Sequence, residues 1–167
     1  MSNKVKPLRI LGIDPGTGIC GFGVLEVAHG TKPKLIDVGA ITTPPHTPLV
    51  ERLVDIYASM GEIIEQNQPD CLAIEKLFFM QNISTGISVA EARGVVLLAG
   101  AQHQLPIYEY SPNEIKKTMT GYGHAHKKQM QEMVRLQLGM KEIIRPDDAA
   151  DAVAIALVHW LLNQNTI

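Results

Sequence analysis

Two short apolar runs in the sequence each end at an acidic residue. The run 8–14 ends at Asp14, just before Pro-Gly, and the run 71–76 carries Glu75 directly after Cys-Leu-Ala-Ile. Short apolar runs bounded by turn residues are typical of buried strands. An ionised carboxylate in such surroundings is unfavourable by several kcal/mol unless a cation or hydrogen bonds compensate it. The sequence therefore predicts a sheet with carboxylates at the ends of two buried strands.

The remaining pattern predicts an α/β protein. Strands are predicted over 8–14, 18–27, 34–43, 71–76 and 107–110, and helices over 49–64, 89–103, 112–119, 127–138 and 146–163. A segment containing Ser, Thr and Asn, 81–88, is expected to separate the fourth strand from its helix. Right-handed crossovers add the fourth strand beside the first and the fifth beyond it. The prediction is a five-stranded mixed sheet, three antiparallel strands extended by two parallel strands, flanked by helices.

This strand order predicts that Asp14 and Glu75 are neighbours. Adjacent strands lie about 4.8 Å apart, and both acids are near the carboxyl end of their strand. Open sheets bind ligands at that edge. We therefore expect the two carboxylates to face a common site.

A second pair of acids opens the last predicted helix. Asp148 and Asp151 are three residues apart, so both project from one face of that helix. Asp147 is the competing candidate because it lies four residues before Asp151, but it is expected to face solvent. Docked against the strand ends, the two pairs of acids could bind two Mg²⁺ ions about 3.5–4 Å apart, with Mn²⁺ as a substitute. Such a pair of ions activates water for phosphodiester hydrolysis.

The overall charge neither suggests nor excludes nucleic acid as a partner. The 167 residues carry a net charge of −2, but setting the four site acids aside leaves a positive balance. A Gly/His loop is bracketed by four lysines, Lys116, Lys117, Lys127 and Lys128. A local basic patch of this kind can bind phosphates.

The chain is expected to form one domain over 1–167, with flexible tails at about 1–7 and 164–167. No apolar stretch reaches the roughly 20 residues that a membrane span needs. The N-terminal residues contain no apolar signal core, and a cytoplasmic location is expected.

Four segments, taken in order, carry a resemblance to a known family. They are Ile-Asp-Pro-Gly-Thr-Gly-Ile-Cys-Gly-Phe-Gly-Val (13–24), Ile-Glu-Lys-Leu-Phe-Phe (74–79), Glu-Ala-Arg-Gly-Val (91–95) and Asp-Ala-Ala-Asp-Ala (148–152). The first segment alone is weak, because sugar kinases and actin-like ATPases begin similarly, but the four together are specific. From Ile10 to about Ala156 the chain resembles the RuvC family, the bacterial Holliday-junction resolvases, which have a ribonuclease-H-like fold.

The resemblance implies a Mg²⁺-dependent crossover junction endodeoxyribonuclease of homologous recombination and repair. Such an enzyme is a homodimer that binds four-way DNA junctions and makes paired, symmetric nicks, leaving 5′-phosphate and 3′-hydroxyl ends. A branch-migration helicase complex, RuvA–RuvB, is implied as a partner. The resemblance assigns the metal-binding catalytic role to Asp14, Glu75, Asp148 and Asp151, and DNA binding to Phe78, Lys116 and Lys127.

Several side chains admit a second interpretation. Phe78 could be a core ring, since its neighbours are apolar, rather than a ring that stacks on a junction base. His124 and His126 have a spacing that could bind metal, but exposure to solvent or a weak phosphate contact is favoured. His159 is expected on a helix surface. Arg93 could pack against a partner or against the loop after the fourth strand.

Three other functions compete with junction cleavage. An actin-like ATPase would need a second lobe with its own phosphate loop, which this sequence does not repeat. A related ribonuclease-H-like nuclease acting on structured RNA would keep similar acids but lacks the segments 74–79 and 91–95. A non-catalytic junction-binding module is disfavoured by the intact acids.

Overall fold

The described residues, 6–78 and 83–164 of a computed structural model, form five strands and five helices. The strands are β1 (Leu8–Asp14), β2 (Ile19–Val27), β3 (Lys34–Thr42), β4 (Cys71–Glu75) and β5 (Ile107–Tyr110), and the helices are α1 (Leu49–Asn67), α2 (Ile83–Gln102), α3 (Pro112–Thr120), α4 (Lys127–Leu138) and α5 (Asp147–Asn163). Most of the two predicted tails, residues 1–5 and 165–167, lies outside the described residues. None of the described helices is both long and apolar enough to cross a membrane.

The five strands form one mixed sheet in the order β3-β2-β1-β4-β5. β1 pairs antiparallel with β2 and parallel with β4, and β4 pairs parallel with β5. The predicted sheet, with three antiparallel strands extended by two parallel ones, is confirmed. Ile13 pairs with Ile74, so Asp14 and Glu75 follow at the same level of the sheet.

Successive side chains of a strand point to opposite faces of the sheet, and a separate part of the core lies on each face. On β1, Leu11 and Ile13 pack with residues of α1 and α2, whereas Gly12 faces α5. Asp14 lies two residues after Gly12 and therefore projects to the α5 face. The same alternation on β4 places Glu75 on that face. Both strand acids thus point toward the helix that carries the other acids.

Three glycines, Gly12, Gly21 and Gly23, let α5 lie directly on the sheet, and we call them the glycine seam. A Cβ atom on Gly12 would stand 2.1 Å from the carbonyl oxygen of Ala152, and one on Gly21 would stand 2.0 Å from that of Asp148. These separations are far below van der Waals contact, so a side chain at either position has to displace the helix. The seam therefore sets the height of α5 above β1 and β2.

One predicted boundary is wrong. α2 begins at Ile83, whereas the sequence predicted a helix from about Val89 and a non-helical segment before it. Ser88 donates a hydrogen bond to the carbonyl of Thr85 at 3.1 Å, and Thr17 donates to the Ser88 hydroxyl at 3.3 Å. The bond from Thr17 ties the first turns of α2 to the loop after β1. Tertiary contact of this kind overrides the weak helix propensity of Ser and Thr.

The predicted start of α3 is confirmed. The Ser111 hydroxyl accepts a hydrogen bond from the backbone of Glu114 at 3.2 Å, and the Glu114 carboxylate accepts one from the backbone of Ser111 at 2.7 Å. Pro112 occupies the first helical position. This capping box fixes the start of α3 directly after the end of β5. The remaining element boundaries agree with the predicted ones to within one helical turn.

Candidate active site

Asp14 and Glu75 meet at one edge of the sheet because β1 and β4 are adjacent. Both side chains line a cavity of about 250 Å³ that is also bounded by α3, α4 and α5. α5 contributes Asp151 to the lining, and α3 and α4 contribute Lys116 and Lys127. Three of the predicted site acids and both predicted site lysines therefore share one cavity.

The fourth predicted acid, Asp148, lies in the first turn of α5, outside the lining of this cavity. Its carbonyl group rests on Gly21 of the glycine seam. The negative charge of Asp148 still acts on Asp14, whose pKa it raises. The structure thus brings the four acids into one electrostatic group, with Asp148 at its margin.

The acids of this group disfavour one another's ionised forms. The pKa of Asp14 is raised to about 8, first by burial and then by the charges of Asp151, Glu75 and Asp148. Burial raises the pKa of Glu75, and Asp151 adds to that shift. Burial also raises the pKa of Asp151, although Lys127 opposes the change. The ionised carboxylates therefore lack sufficient compensating charge from the protein alone.

Lys127 supplies part of that compensation. Its ammonium nitrogen lies 3.3 Å from a carboxylate oxygen of Asp151 and 3.4 Å from one of Asp147. Partial burial alone would lower the pKa of Lys127, but its contacts with Asp151 and Asp147 outweigh that effect and raise it. Lys127 therefore bridges two acids at the start of α5.

Asp147 does not simply face solvent, as the sequence suggested. Besides Lys127, its carboxylate accepts hydrogen bonds from Arg145 and from the side chain of Gln131 at 3.0 Å. Although loss of hydration opposes the shift, Lys127, Gln131 and Arg145 together lower the pKa of Asp147. Sequence reasoning missed Gln131, a buried polar residue; its place one turn after Lys127, on the same face of α4, was the available signal.

The donor set suits a hard divalent cation, although the side chains are not already arranged around one. Among residues 6–78 and 83–164, no three acidic, histidine or cysteine side chains surround a common ion position. The cavity lining includes carboxylates but neither histidine nor cysteine. Oxygen donors alone are typical of Mg²⁺ and Mn²⁺ sites rather than of zinc sites. A bound cation would also relieve the repulsion that raises the pKa of Asp14.

Arg93 packs against the last residue of β4, immediately before the loop that was one of its two predicted contacts. Its guanidinium donates to the backbone carbonyl of Glu75 at 2.9 Å and forms an ion pair with Glu109 of β5. Arg93 therefore holds the ends of the two parallel strands together. Its contact is with the backbone of Glu75, which leaves the carboxylate of that residue available to the cavity.

Phe78 is not a core residue. It is 60% exposed and follows β4 in a segment without regular structure. It lines a second cavity that shares Asp14, Glu75 and Pro112 with the first. The core alternative is therefore wrong, and the ring stands beside the acidic group. Phe79 lies outside the described residues.

His159 contradicts its expected place on a helix surface. Only 4% of it is exposed, and its Nδ1 lies 2.7 Å from the hydroxyl of Tyr110. The ring of Tyr108 packs on it with ring centroids 4.3 Å apart, and burial lowers the pKa of His159. The almost continuous apolar sequence of α5 was the signal that this helix is covered on every side.

Comparisons with known proteins agree with this architecture. The family model described as "Crossover junction endodeoxyribonuclease RuvC" matches residues 10–159. A protein of that name from Chloroflexus aggregans is 54% identical over 152 residues, which make up 91% of this chain and 92% of the relative. One from Thermotoga maritima is 51% identical over 154 residues, or 92% of this chain and 91% of the relative.

Solved structures of RuvC resemble this chain over nearly its whole length. The Thermus thermophilus RuvC structure has a TM-score of 0.86 at 35% identity, covering 95% of this chain and 97% of that one. RuvC of that organism in complex with Holliday junction substrate has a TM-score of 0.89 at 36% identity, with coverage of 95% and 96%. The predicted ribonuclease-H-like fold is thereby confirmed. With a family model that spans most of its length and relatives above 50% identity, the chain belongs to the RuvC family of crossover junction endodeoxyribonucleases.

Proposed function

We propose that this RuvC-family protein is a structure-selective endonuclease that resolves four-way DNA junctions by paired, symmetric nicks. The observation that carries the proposal is the convergence of acids from β1, β4 and α5 at one edge of the sheet. Family membership supports the substrate, because a RuvC protein 36% identical to this one has been solved with a Holliday junction substrate. The reaction serves homologous recombination and repair in the cytoplasm, with the RuvA–RuvB helicase complex as a proposed partner.

A homodimer follows from the symmetry of the proposed reaction. The described part of one chain brings together one group of four acids, whereas paired nicks require two such groups. A two-fold dimer presents two equivalent sites to a junction whose strands are related in the same way.

Two Mg²⁺ ions are the proposed cofactor, and their proposed ligands are Asp14, Glu75, Asp148 and Asp151. When bound, the ions would lower the pKa of a water molecule and stabilise charge on the phosphate oxygens. The chain itself keeps the carboxylates in place. The glycine seam seats the helix that carries two of them, and Arg93 holds the end of β4. The apolar side chains of Ile115, Met130 and Ile155 line the cavity and limit bulk water there.

Lys116, Lys127 and Phe78 are the proposed DNA contacts. The two lysines line the same cavity as the acids, so they can compensate the charge of a phosphate that enters it. Lys116 also opposes the rise in the pKa of Glu75. The exposed ring of Phe78 can stack on an unpaired junction base, an interaction of about 1–3 kcal/mol.

The substitution Asp14→Asn tests the proposal. It removes one negative charge and keeps the shape of the side chain, so we expect junction binding to be retained and nicking to fall. A loss of more than about a hundredfold is expected, as for other groups that stabilise transition-state charge. Nicking is measured on an end-labelled synthetic junction in Mg²⁺ by denaturing gel, and binding by gel shift without Mg²⁺.

Asp55→Asn is the matched control, because Asp55 is an exposed acid on α1, and it should cut at the wild-type rate. Retained nicking by Asp14→Asn would falsify the ligand role. Linear duplex and structured RNA serve as competing substrates. Faster cleavage of the RNA would identify an RNA nuclease, and junction binding without any Mg²⁺-dependent cleavage by the wild type would identify a non-catalytic module.

A further inference from the structure

The stretch from the last turns of α3 to the first residues of α4 is the most basic of the chain, and it lies beside the proposed active site. Residues 116–128 contain four lysines and two histidines but no acid, within a chain of net charge −2. Two of these lysines, Lys116 and Lys127, line the acidic cavity, while Lys117 and Lys128 are exposed. The segment is therefore suited to a polyanion that extends from the cavity.

The connection Thr120–His126, which we call the α3–α4 loop, presents aromatic rings to solvent. Tyr122 is 61% exposed, and its ring meets that of His124 in an edge-to-face contact with centroids 5.5 Å apart. His124 and His126 are both exposed, as expected from the sequence. A large exposed aromatic flanked by cations is the combination that binds unpaired nucleic acid, because bases stack on the ring while cations meet the phosphates.

Backbone contacts hold this loop at both ends. The Thr120 hydroxyl donates to the carbonyl of Lys116 at 2.8 Å and accepts from the backbone of Tyr122 at 3.2 Å. At the other end the backbone of His126 donates to the side chain of Gln129 at 2.8 Å. An exposed ring on a loop fixed in this way loses little conformational freedom on binding.

The middle of the loop is also anchored. Gly121 has the positive φ of 76° that a left-handed cap requires. A Cβ atom on Gly123 would stand 2.3 Å from the side-chain oxygen of Asn113, so the loop packs closely on the start of α3. Ala125 is buried and lines the acidic cavity. Tyr122 is thus presented three residues away from a wall of the proposed active site.

Phe78 occupies a different side of the same region. The cavity lined by Phe78 and the cavity lined by Ala125 share Asp14, Glu75 and Pro112. A DNA strand whose phosphate lies at the acids therefore has one exposed aromatic ring on the Phe78 side and another on the side of the α3–α4 loop.

We propose that Tyr122 is a second stacking residue, which binds a base of the junction strand on the side of the acids away from Phe78. The proposal rests on the proposed junction-cleaving function and adds a DNA contact to it. The neighbouring lysines, Lys117 and Lys128, meet the phosphates of the same strand.

Tyr122→Ala and Tyr122→Phe test the proposal together. Loss of one stacked base should weaken junction binding at least about fivefold in Tyr122→Ala, while Tyr122→Phe keeps wild-type affinity because it keeps the ring. The slope of log Kd against log salt should stay unchanged in Tyr122→Ala, since no charge is lost. In Lys128→Ala the slope should fall by about one. Tyr57→Ala, an exposed tyrosine on α1 across the sheet, is the control.

A junction with 2-aminopurine at successive positions around the cleavage point gives the direct readout. Emission should be quenched at one of these positions by the wild type and Tyr122→Phe but not by Tyr122→Ala. Wild-type affinity in Tyr122→Ala, an equal loss in Tyr122→Phe, or no quenching by the wild type overturns the proposal. Wild-type cleavage of the same junction in Mg²⁺, measured in parallel, tests the proposed function separately.

Discussion

Asp14 affects both the stability of the metal-free fold and the proposed metal site. Its pKa of about 8 means that the folded, metal-free protein favours the protonated side chain far more than the unfolded chain does. An acid whose pKa is higher in the folded protein than in the unfolded chain stabilises the fold at low pH. This stabilisation is complete below the unfolded pKa, near 4, and is lost as the pH rises through the folded pKa. Asp14 therefore destabilises the metal-free fold at neutral pH, where only the unfolded chain is largely ionised at this residue, and more strongly at alkaline pH, where Asp14 ionises in the folded protein as well.

Asp14→Asn should accordingly stabilise the metal-free protein at high pH. At about pH 8 in EDTA we expect the variant to be more stable than the wild type by at least about 1.4 kcal/mol, the equivalent of one pKa unit. The difference should shrink as the pH is lowered toward 4, where Asp14 becomes protonated in the unfolded chain as well as in the folded protein. Urea unfolding at several pH values measures it.

Asp55→Asn again serves as the control for that series, and its effect should not vary with pH in this way. A variant Asp14→Asn that is less stable than the wild type at about pH 8, or whose advantage is the same at every pH, contradicts the argument.

At the level of elements, the sequence predicted which strands and helices contribute to the site, but not the detailed contacts between the packed elements. The right-handed crossover rule placed β4 beside β1, and hence Glu75 beside Asp14, because that rule depends only on chain order. The contact of α5 with the glycine seam and the burial of His159 depend on how one element packs on another. The earlier start of α2 depends on such packing too, because Thr17 hydrogen-bonds to Ser88 in its first turns. Periodicity within a segment does not report such contacts.

Gly21→Ala tests the glycine seam. Because the new Cβ atom would lie 2.0 Å from the carbonyl oxygen of Asp148, α5 has to move. We expect a loss of about 1–3 kcal/mol in the free energy of unfolding, as for other overpacked sites. Junction nicking, measured where the variant is still folded, should also fall, because the displaced helix carries two of the acids.

Gly94→Ala is the matched control for the seam. Gly94 lies in α2, where a Cβ atom would meet nothing within 4 Å. That substitution should stabilise the protein by up to about 1 kcal/mol, because alanine favours a helix more than glycine does. Equal stability and nicking in Gly21→Ala and the wild type would show that α5 is not seated by the seam.

For the whole molecule, the sheet separates the proposed active site from a second surface. The acids lie on the α5 face, whereas the exposed apolar side chains of Val50, Val54 and Leu98 are on α1 and α2, which cover the opposite face. Access of DNA to the acidic cavity therefore does not depend on what covers the apolar side chains of the opposite face.

Mg²⁺ should raise the thermal stability of the whole protein. A ligand at ten times its Kd stabilises the folded state by about 1.4 kcal/mol, which for a chain of this size corresponds to about 3–6 °C in Tm. Differential scanning fluorimetry at constant ionic strength measures the shift. Asp14→Asn should lose most of it, and an equal shift in both proteins would indicate binding elsewhere.

The glycine seam also bears on how such a chain tolerates mutation over long periods. At Gly12 and Gly21 the distance between α5 and the sheet is set by main-chain oxygens of α5, whereas at Gly23 the nearest atom belongs to the side chain of Val153. Exchanges of apolar residues elsewhere in the interior therefore act on this gap less directly than a substitution at Gly12 or Gly21 does. The geometry of the proposed site therefore depends more on these glycines than on the sizes of side chains elsewhere in the core.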